Sequence, residues 1–405
     1  MAYDNVLRPA DESELAVLVA DAAVAGRPLE LIGGGTKRGL GRPVEAEALV
    51  DLSRLSGIID YAPEELVLTA RPGTPLAEIE AAVGAARQML AFEPADLGPL
   101  YGAAAGGGTL AGALACNLSG PRRLKAGAAR DHLLGFRGVN GRGEAFKAGG
   151  KVVKNVTGYD LCKLIAGSYG TLVALTEVSI KVLPAPEATT TLCAIGLAPD
   201  AGMAALGEAL ASPHEVSGAA YLPADTGADL TPIKGSSCAA IRIEGVAPSV
   251  KARAGALREL LGRRREIVAI EGEAAWRFWA GLRDASPLRD GNGPLWRVSV
   301  PPATGAEAHA RLKRALTEAR LYHDWGGGLI WLGLPPGSDA MAAALRGALA
   351  GLGGHATLVR APNESRTGIP VFEPQEAAID ALTRRLKASF DPAAIFNRGR
   401  MYEGV

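Results

Sequence analysis

The chain has 405 residues, of which 48% are hydrophobic and 21% charged, a composition typical of a folded globular protein. Its 43 Lys and Arg residues balance 43 Asp and Glu residues, so it lacks the basic excess expected of a protein that binds nucleic acid. This length exceeds one ordinary domain core and predicts two domains.

Four cysteines stand far apart in the sequence and form no C-x-x-C pair: Cys116, Cys162, Cys193 and Cys238. This spacing excludes the common zinc and iron–sulfur motifs within the chain, and free thiols indicate a reducing compartment. The sequence shows neither a secretion signal nor an apolar run long enough to span a bilayer. We therefore expect a cytoplasmic protein with no membrane span, one that reaches the inner membrane only through partner chains.

The first third of the chain begins with a predicted helix over 11–25. Asp11 and Glu14 provide a start resembling a capping box, and Gly26 provides the stop. A strand over 29–32 then runs directly into a glycine cluster. A second strand over 66–70 precedes a helix that we expect to open with Thr74 as N-cap and Pro75 in the first turn.

Beyond residue 158, a short helix over 159–165 precedes a β-branched, alternating strand over 172–183. Pro184-Ala185-Pro186 then predicts a domain boundary. The next region has predicted strands over 238–244 and 295–300 and predicted helices over 248–261 and 306–319, which favours an α+β domain with an antiparallel sheet. An amphipathic helix over 376–390 precedes the C-terminus.

Three glycine clusters punctuate the first half of the chain: Gly33-Gly34-Gly35-Thr36, Gly106-Gly107-Gly108-Thr109 and Gly167-Ser168-Tyr169-Gly170-Thr171. Glycine tolerates positive φ and lets successive N–H groups point at one anion. Three such loops predict that the backbone closely approaches a long, phosphate-bearing cofactor. A bulky residue at Gly34 is expected to fill the space between backbone and diphosphate.

Two common nucleotide motifs are excluded. Gly106, Gly108 and Ala111 match the Rossmann spacing G-x-G-x-x-A, but no convincing strand precedes them and no βαβ unit surrounds them. No G-K-[ST] follows either of the first two clusters, so the chain has no P-loop there.

These segments occur in the same order as in a known family. The first half resembles the FAD-binding domain of the vanillyl-alcohol oxidase and p-cresol methylhydroxylase family, through Gly33 to Lys37, Ala70-Arg71-Pro72-Gly73-Thr74, Phe92-Glu93-Pro94 and the return of Asn397 near the C-terminus. Ser119-Gly120-Pro121-Arg122-Arg123 and Lys154-Asn155-Val156-Thr157-Gly158-Tyr159-Asp160 are similar to those of the FAD-binding E subunits of bacterial glycolate oxidases.

The resemblance implies an α+β fold: a two-subdomain FAD-binding domain of the p-cresol methylhydroxylase type over 1–185, an α+β cap domain with an antiparallel sheet and helices over 186–375, and a C-terminal segment over 376–405 that returns to the first domain. It implies FAD as cofactor, bound between domains. The implied cofactor contacts are Gly33, Gly34, Gly35, Thr36, Lys37, Pro94, Gly108, Thr109, Gly112, Ala113, Cys116, Leu118, Ser119, Gly120, Arg130, Gly170, Leu172, Val173 and Asn397.

Several departures from the family pattern affect the expected chemistry. Some relatives attach flavin through a histidine in the first loop, where this chain has Thr36-Lys37, so the resemblance implies non-covalent FAD. Catalytic relatives place a carboxylate-binding arginine where this chain has Val153. They also carry clustered histidines that bind a metal, whereas none of the five histidines here pairs at ligand spacing, so no metal and no catalytic residue is assigned.

The implied function is an FAD-binding subunit of a glycolate oxidase-type complex that oxidises a small 2-hydroxy acid, glycolate, to glyoxylate. Its expected partners are a second FAD-binding subunit and an iron–sulfur subunit. Two alternatives remain: a non-catalytic or electron-relay FAD subunit, and a stand-alone FAD-linked oxidase. Cap residues that could face the flavin are Tyr322, His323, Asp324, Trp325, Trp331 and Arg360.

Overall fold

The computed structural model describes residues 5–150, 159–227, 229–263 and 265–405. Val153 and all five residues of Lys-Asn-Val-Thr-Gly, 154–158, lie outside these ranges. The chain divides into two compact units. The first unit comprises Met1–Leu118, Ala128–Pro184 and Arg366–Val405, and the second unit comprises Ser119–Gly127 and Ala185–Ser365.

The described helices are α1 Glu12–Ala25, α2 Leu76–Ala85, α3 Leu110–Ala115, α4 Arg123–Ala126, α5 Ala129–His132, α6 Leu161–Ile165, α7 Pro199–Leu210, α8 Ala247–Gly262, α9 Gly272–Arg283, α10 Gly305–Ala315, α11 Ala342–Leu349, α12 Asn363–Gly368 and α13 Ala377–Phe390. The described strands are β1 Val6–Leu7, β2 Leu29–Ile32, β3 Ala48–Asp51, β4 Ile58–Ala62, β5 Val67–Ala70, β6 Gln88–Met89, β7 Leu133–Asn140, β8 Ala145–Gly149, β9 Val173–Lys181, β10 Leu183–Pro184, β11 Ala188–Ile195, β12 Gly218–Leu222, β13 Cys238–Gly245, β14 Ile267–Glu271, β15 Leu295–Ser299, β16 Arg320–Asp324, β17 Leu329–Gly333 and β18 His355–Arg360.

The first unit contains a small parallel sheet and a larger antiparallel sheet, each with its own hydrophobic core. The parallel sheet has the order β1-β3-β2, and α1 buries Leu15 and Val19 in the core that it shares with this sheet. The antiparallel sheet has the order β4-β5-β9-β7-β8, and α2, α3 and α6 supply apolar residues to its core. This gives the two subdomains expected from the sequence.

Local signals set the ends of α1. The Asp11 carboxylate accepts the backbone N–H of Glu14 at 2.9 Å, and the Glu14 carboxylate accepts the N–H of Ala10 at 2.7 Å. Gly26 ends the helix with φ +62°, a conformation that glycine adopts without a Cβ penalty. The predicted helix over 11–25 is therefore confirmed.

The C-terminal residues pack into the first unit through a buried ion pair. The Lys387 ammonium, at the end of α13, donates to the Asp391 carboxylate at 2.7 Å and to the carbonyls of Thr171 and Phe396 at 2.7 and 2.9 Å. Asp391 also accepts the backbone N–H groups of Ile395 and Phe396. Every donor of the ammonium is thus satisfied, as a buried charge requires.

The second unit is built on an antiparallel sheet of order β14-β11-β13-β12-β16-β17-β15-β18. Helices α7 and α8 cover it with apolar residues that include Leu206 and Leu257. The Trp279 indole of α9 donates to the Thr191 hydroxyl at 2.8 Å. The α+β class and the antiparallel sheet predicted for this region are confirmed.

Residues 119–127 belong to the second unit, contrary to the expected boundaries. Arg122 makes two hydrogen bonds of 3.0 and 2.8 Å to the Glu244 carboxylate. Burial by itself raises the pKa of Glu244. The neighbouring Arg242 and Arg122 outweigh this effect and lower the pKa to about 2. The Trp325 indole donates to the Gly120 carbonyl at 3.1 Å. These contacts make the Ser-Gly-Pro-Arg-Arg motif part of the sheet domain.

Other differences from the sequence expectations have local causes. Pro75, not Thr74, is the N-cap of α2, because the Thr74 hydroxyl bonds to the Gly57 and Arg71 carbonyls instead. Helix α10 ends at Ala315 rather than at 319, because the backbone dihedral angles of Leu316 are no longer helical. The second unit ends at Ser365 rather than 375.

Two histidines of the second unit form a buried pair. His309 Nδ1 lies 3.0 Å from His323 Nε2, and the rings stack 5.2 Å apart. Burial and the neighbouring Lys313 lower the pKa of His309, while Asp225 raises it. Burial and the neighbouring His309 lower the pKa of His323 well below its ordinary value. The fold therefore favours the uncharged rings.

We expect this pair to make the second unit less stable in acid. The pKa of such a histidine is lower in the folded protein than in the unfolded chain, where it is about 6.5. Above that pH the histidine does not affect the free energy of unfolding. Below it, the free energy of unfolding falls by at most about 1.4 kcal/mol per pH unit for each ring, because the unfolded chain binds the proton more readily. Thermal unfolding followed by tryptophan fluorescence reports this unit, because all five tryptophans lie in it.

His323→Gln and His309→Gln should each flatten the pH dependence between 7 and 5. His214→Gln, at a partly exposed position of the same unit, is the matched control and should retain the wild-type slope. An unchanged slope in both test variants would contradict the assignment.

The buried pair of α13 predicts a second stability effect. Lys387→Met leaves the Asp391 carboxylate buried without its cation, a loss that costs about 3–5 kcal/mol of the free energy of unfolding. Arg384→Met is the control, because Arg384 pairs with Asp380 on the same helix at the same i,i+4 spacing but is half-exposed. Urea unfolding should show a large loss for the first variant and little change for the second.

Candidate cofactor site

A cavity within the first unit encloses about 700 Å³ of empty space, part of it open to solvent. It is lined by the end of β2, the first glycine loop, α3, the turn at 169–170, β9 and two C-terminal side chains. The lining residues are Leu31, Ile32, Gly33, Gly34, Gly35, Thr36, Lys37, Arg38, Leu52, Thr109, Ala111, Gly112, Ala115, Cys116, Tyr169, Gly170, Val173, Ala174, Leu175, Asn397 and Arg400.

The first glycine loop packs directly against the second. A Cβ on Gly33 would lie 2.5 Å from the Thr109 hydroxyl oxygen, and a Cβ on Gly34 would overlap the Gly107 carbonyl oxygen. The expectation that Gly34 is small to admit the diphosphate is therefore wrong about the cause. Glycine at 33 and 34 lets the two loops meet, and that contact forms one wall of the cavity.

Asn397 joins two other walls. Its side-chain amide donates to the Tyr169 carbonyl at 2.7 Å and its side-chain oxygen accepts the Leu31 N–H at 2.8 Å. Its backbone N–H donates to the Leu29 carbonyl at 2.9 Å. The predicted return of the C-terminal segment to the glycine loops is thus observed, and Asn397 fixes β2 relative to the turn at 169–170.

Two arginines hold the carbonyl oxygens of the first loop. Arg400 donates to the Lys37 carbonyl at 2.9 Å, and Arg366 donates to the Gly39 and Gly41 carbonyls at 2.8 and 2.7 Å. These bonds fix the peptide planes that follow the glycine cluster. Both arginines come from the last forty residues, so the C-terminal part of the chain shapes the loop.

The cavity is electropositive. Its charged lining residues are Lys37, Arg38 and Arg400, and no carboxylate is among the described residues that line it. Lys37 is 7% exposed, and burial lowers its pKa. Burial also raises the pKa of the Cys116 thiol, which keeps it neutral beside these cations.

The predicted contacts divide into two groups in the structure. Those that line the cavity are Gly33, Gly34, Gly35, Thr36, Lys37, Thr109, Gly112, Cys116, Gly170, Val173 and Asn397. Those that do not line it are Pro94, Gly108, Ala113, Leu118, Ser119, Gly120, Arg130 and Leu172.

Five of the eight residues that do not line the cavity have an identifiable place elsewhere. Ala113 and Leu172 point into the hydrophobic core of the antiparallel sheet. Ser119 and Gly120 belong to the second unit. Arg130 donates to the Lys163 carbonyl at 3.2 Å and is exposed.

The sequence reading missed Arg38 and Arg400 among the lining residues. Arg38 is bound to the Glu30 carboxylate by hydrogen bonds of 3.0 and 2.6 Å. Arg400 stands three residues after Asn397, in a motif already associated with the cofactor. The signal that could have found it is an arginine in a segment expected to return to a diphosphate site.

Several candidate cap residues serve the fold of the second unit. Arg360 donates to the carbonyls of Gly293, Arg289 and Leu288. The Tyr322 hydroxyl donates to the Leu282 carbonyl at 2.7 Å. His323 stacks on His309, a contact between two histidines fourteen residues apart that their spacing in the sequence does not indicate. In the described part of the chain, no three His, Cys, Asp or Glu side chains converge as metal ligands.

Comparison with known proteins identifies the family. A family model described as an FAD binding domain matches residues 3–149. Glycolate oxidase subunit GlcE of Escherichia coli (strain K12) is 38% identical over 399 residues, covering 98% of this chain and 99% of that protein. The chain belongs to the GlcE family.

Other proteins are similar to part of this chain or share its fold. Glycolate oxidase subunit GlcD of Bacillus subtilis is 30% identical over 47% of this chain and 39% of its own length. The structure of p-cresol methylhydroxylase matches with a TM-score of 0.72 at 14% identity, over 98% of this chain and 88% of that one. For 4-ethylphenol oxidase from Gulosibacter chungangensis the TM-score is 0.71 at 17% identity, over 98% and 89%.

These comparisons confirm the p-cresol methylhydroxylase type of fold and make FAD the cofactor of this FAD-dependent oxidoreductase subunit. The cavity fits the group on its own evidence. Arg400 Nη1 is buried without a hydrogen-bond partner, and the lining offers Lys37 and backbone from glycine loops. A diphosphate supplies the acceptors that such a site requires.

The loop contact predicts the effect of Gly34→Ala. The added Cβ would displace the second glycine loop through Gly107, so both FAD affinity and the thermal midpoint of the FAD-free protein should fall. Gly84→Ala is the matched control, because Gly84 is an exposed helical residue with open space around its Cβ position and alanine favours helices. A loss of FAD affinity with no loss of stability would instead indicate direct contact with the cofactor.

Proposed function

We propose that this chain is the FAD-binding E-type subunit of a glycolate oxidase complex, which oxidises glycolate or a closely related 2-hydroxy acid to the 2-oxo acid. The observation that supports this most strongly is the match to glycolate oxidase subunit GlcE along nearly the whole of both chains. The proposed partners are a GlcD-type flavoprotein and an iron–sulfur subunit. Any contact of the complex with the inner membrane is proposed to go through those partners; among the described helices, none is both long and apolar enough to cross a bilayer.

The residues proposed to hold FAD are the backbone of Gly33 to Thr36, the side chains of Thr109 and Lys37, and the walls joined by Asn397. FAD is proposed to be bound non-covalently, since Thr36 and Lys37 occupy the place where some relatives carry an attaching histidine. Acid precipitation should then release the yellow chromophore.

Bound FAD supplies an acceptor for the hydride that leaves the hydroxyl-bearing carbon of the substrate. This transfer also needs a cation that fixes the substrate carboxylate and a base that removes the hydroxyl proton. Arg360, the cap arginine considered for the first role, is bound to three backbone carbonyls. Val153, at the position of the expected arginine, has no charge to offer.

A second candidate function therefore differs in which subunit of the complex oxidises the substrate. The internal bonding of Arg360 and of the His309–His323 pair favours a flavin that relays electrons or supports assembly, with substrate oxidised on the partner flavoprotein. A stand-alone oxidase is the weaker proposal, because the match to a named subunit covers the chain.

Anaerobic mixing of the FAD-loaded chain with excess glycolate or D-lactate tests who performs the oxidation. We expect no rapid loss of the visible flavin absorbance with the isolated chain, since Arg360 and the His309–His323 pair are bonded within the second unit. Adding the GlcD-type partner should produce rapid bleaching.

Two outcomes would contradict the proposal in different ways. Rapid bleaching of the isolated chain by glycolate would make it a catalyst in its own right and would refute the relay assignment. Purification from the native host without any associated flavoprotein would refute the complex.

A further inference from the structure

Two buried cations that line the cavity have incomplete hydrogen bonding. Lys37 is 7% exposed, and its ammonium, which can donate three hydrogen bonds, donates to the hydroxyl of the neighbouring Thr36 at a long 3.3 Å. Arg400 is 6% exposed, and its Nη1 has no hydrogen-bond partner. Both side chains line the cavity.

Nearby acidic groups do not complete this bonding. The nearest carboxylate recorded for Arg400, that of Glu30, lies 3.6 Å from Nη1, beyond hydrogen-bond distance. Glu30 accepts two shorter hydrogen bonds from Arg38. Glu30 is thus shared between Arg38 and Arg400, and the charged side chains that line the cavity, Lys37, Arg38 and Arg400, are all cations.

Arg400 is held in place by its backbone and by Nη2. Its N–H donates to the Asn397 carbonyl at 3.0 Å, its carbonyl accepts the Arg42 N–H at 2.8 Å, and Nη2 donates to the Lys37 carbonyl at 2.9 Å. The guanidinium is therefore fixed beside the first glycine loop with one donor group unused. Such an arrangement is typical of a site that receives an anion.

We propose that Arg400 and Lys37 are the pair of cations that neutralises the FAD diphosphate, so that the cofactor fastens residues 395–405 to the first glycine loop. The proposal rests on the FAD site described above and assigns Arg400 as a cofactor-binding residue. The diphosphate carries about two negative charges at neutral pH, and Lys37 and Arg400 are the two buried cations that line the cavity.

The full-length protein, stripped of flavin and reloaded, tests this with three variants. Arg400→Gln should raise the Kd for FAD by about ten- to a hundred-fold, the usual effect of losing a charge-assisted hydrogen bond. Arg400→Lys should lie between that variant and wild type, since it keeps the charge and loses the fork. Arg398→Gln is the matched control, because Arg398 is exposed in the same turn, and it should bind FAD as wild type does.

Hydrogen exchange supplies a readout that is independent of activity. FAD should slow amide exchange over 395–405 in wild type, and this protection should be weaker in Arg400→Gln. The rise in thermal midpoint that FAD produces should shrink in Arg400→Gln, even though the FAD-free variant also loses stability with the bond to the Lys37 carbonyl. An arginine with a structural role alone would lower the FAD-free midpoint and leave the rise produced by FAD intact.

The inference is overturned if Arg400→Gln and Arg398→Gln bind FAD with equal affinity, or if FAD leaves exchange over 395–405 unchanged. If the wild-type protein and Arg400→Gln both bind FAD equally well, this inference alone is refuted. Wild type that binds no FAD refutes the cofactor site as well. Neither result depends on glycolate oxidation, so the subunit assignment is tested separately.

Discussion

The cofactor cavity depends on the buried Lys387 ammonium, which joins the end of α13, the turn at Thr171 and the carbonyl of Phe396. A charge in this position is stable only because every donor finds an acceptor. Its bonds fix the stretch after Asp391, which in turn places Asn397 between β2 and Tyr169. The ion pair between Lys387 and the residue that caps the end of α13 thereby supports the place where two walls of the cavity meet.

The glycine loops show how the backbone itself becomes a binding surface. Gly33 and Gly34 are small because Thr109 and Gly107 lie against them, so the two loops form a single wall. The side chains that carry charge into this wall come from elsewhere: Lys37 follows the first cluster and Arg400 comes from the C-terminus. The cavity combines uncharged backbone with buried cations. Burying these charges costs free energy, and a bound anion would offset that cost.

The second unit uses its charged and aromatic residues mainly on itself. The Glu244 carboxylate forms ion pairs with both Arg122 and Arg242. The Arg360 guanidinium donates to three backbone carbonyls. The Trp325 ring is contacted by the guanidinium of Arg123 at 4.3 Å and donates to the Gly120 carbonyl. This internal bonding is the physical reason for proposing a relay or assembly role for a subunit whose relatives include glycolate oxidase components.

The sequence by itself determined the features that local chemistry controls. Helix α1 follows from its Asp11 cap and its glycine stop, and the α+β class and the order of the FAD-binding segments could be read from spacing and motif. Tertiary structure alone decided which side chains meet. Spacing along the sequence does not show that His309 contacts His323, that Arg400 lines the cavity or that residues 119–127 belong to the second unit. These arrangements depend on long-range strand pairing and on ion pairs between distant residues. A motif gives the order of residues along the chain, whereas burial and hydrogen bonding between remote segments decide the partners of each charge.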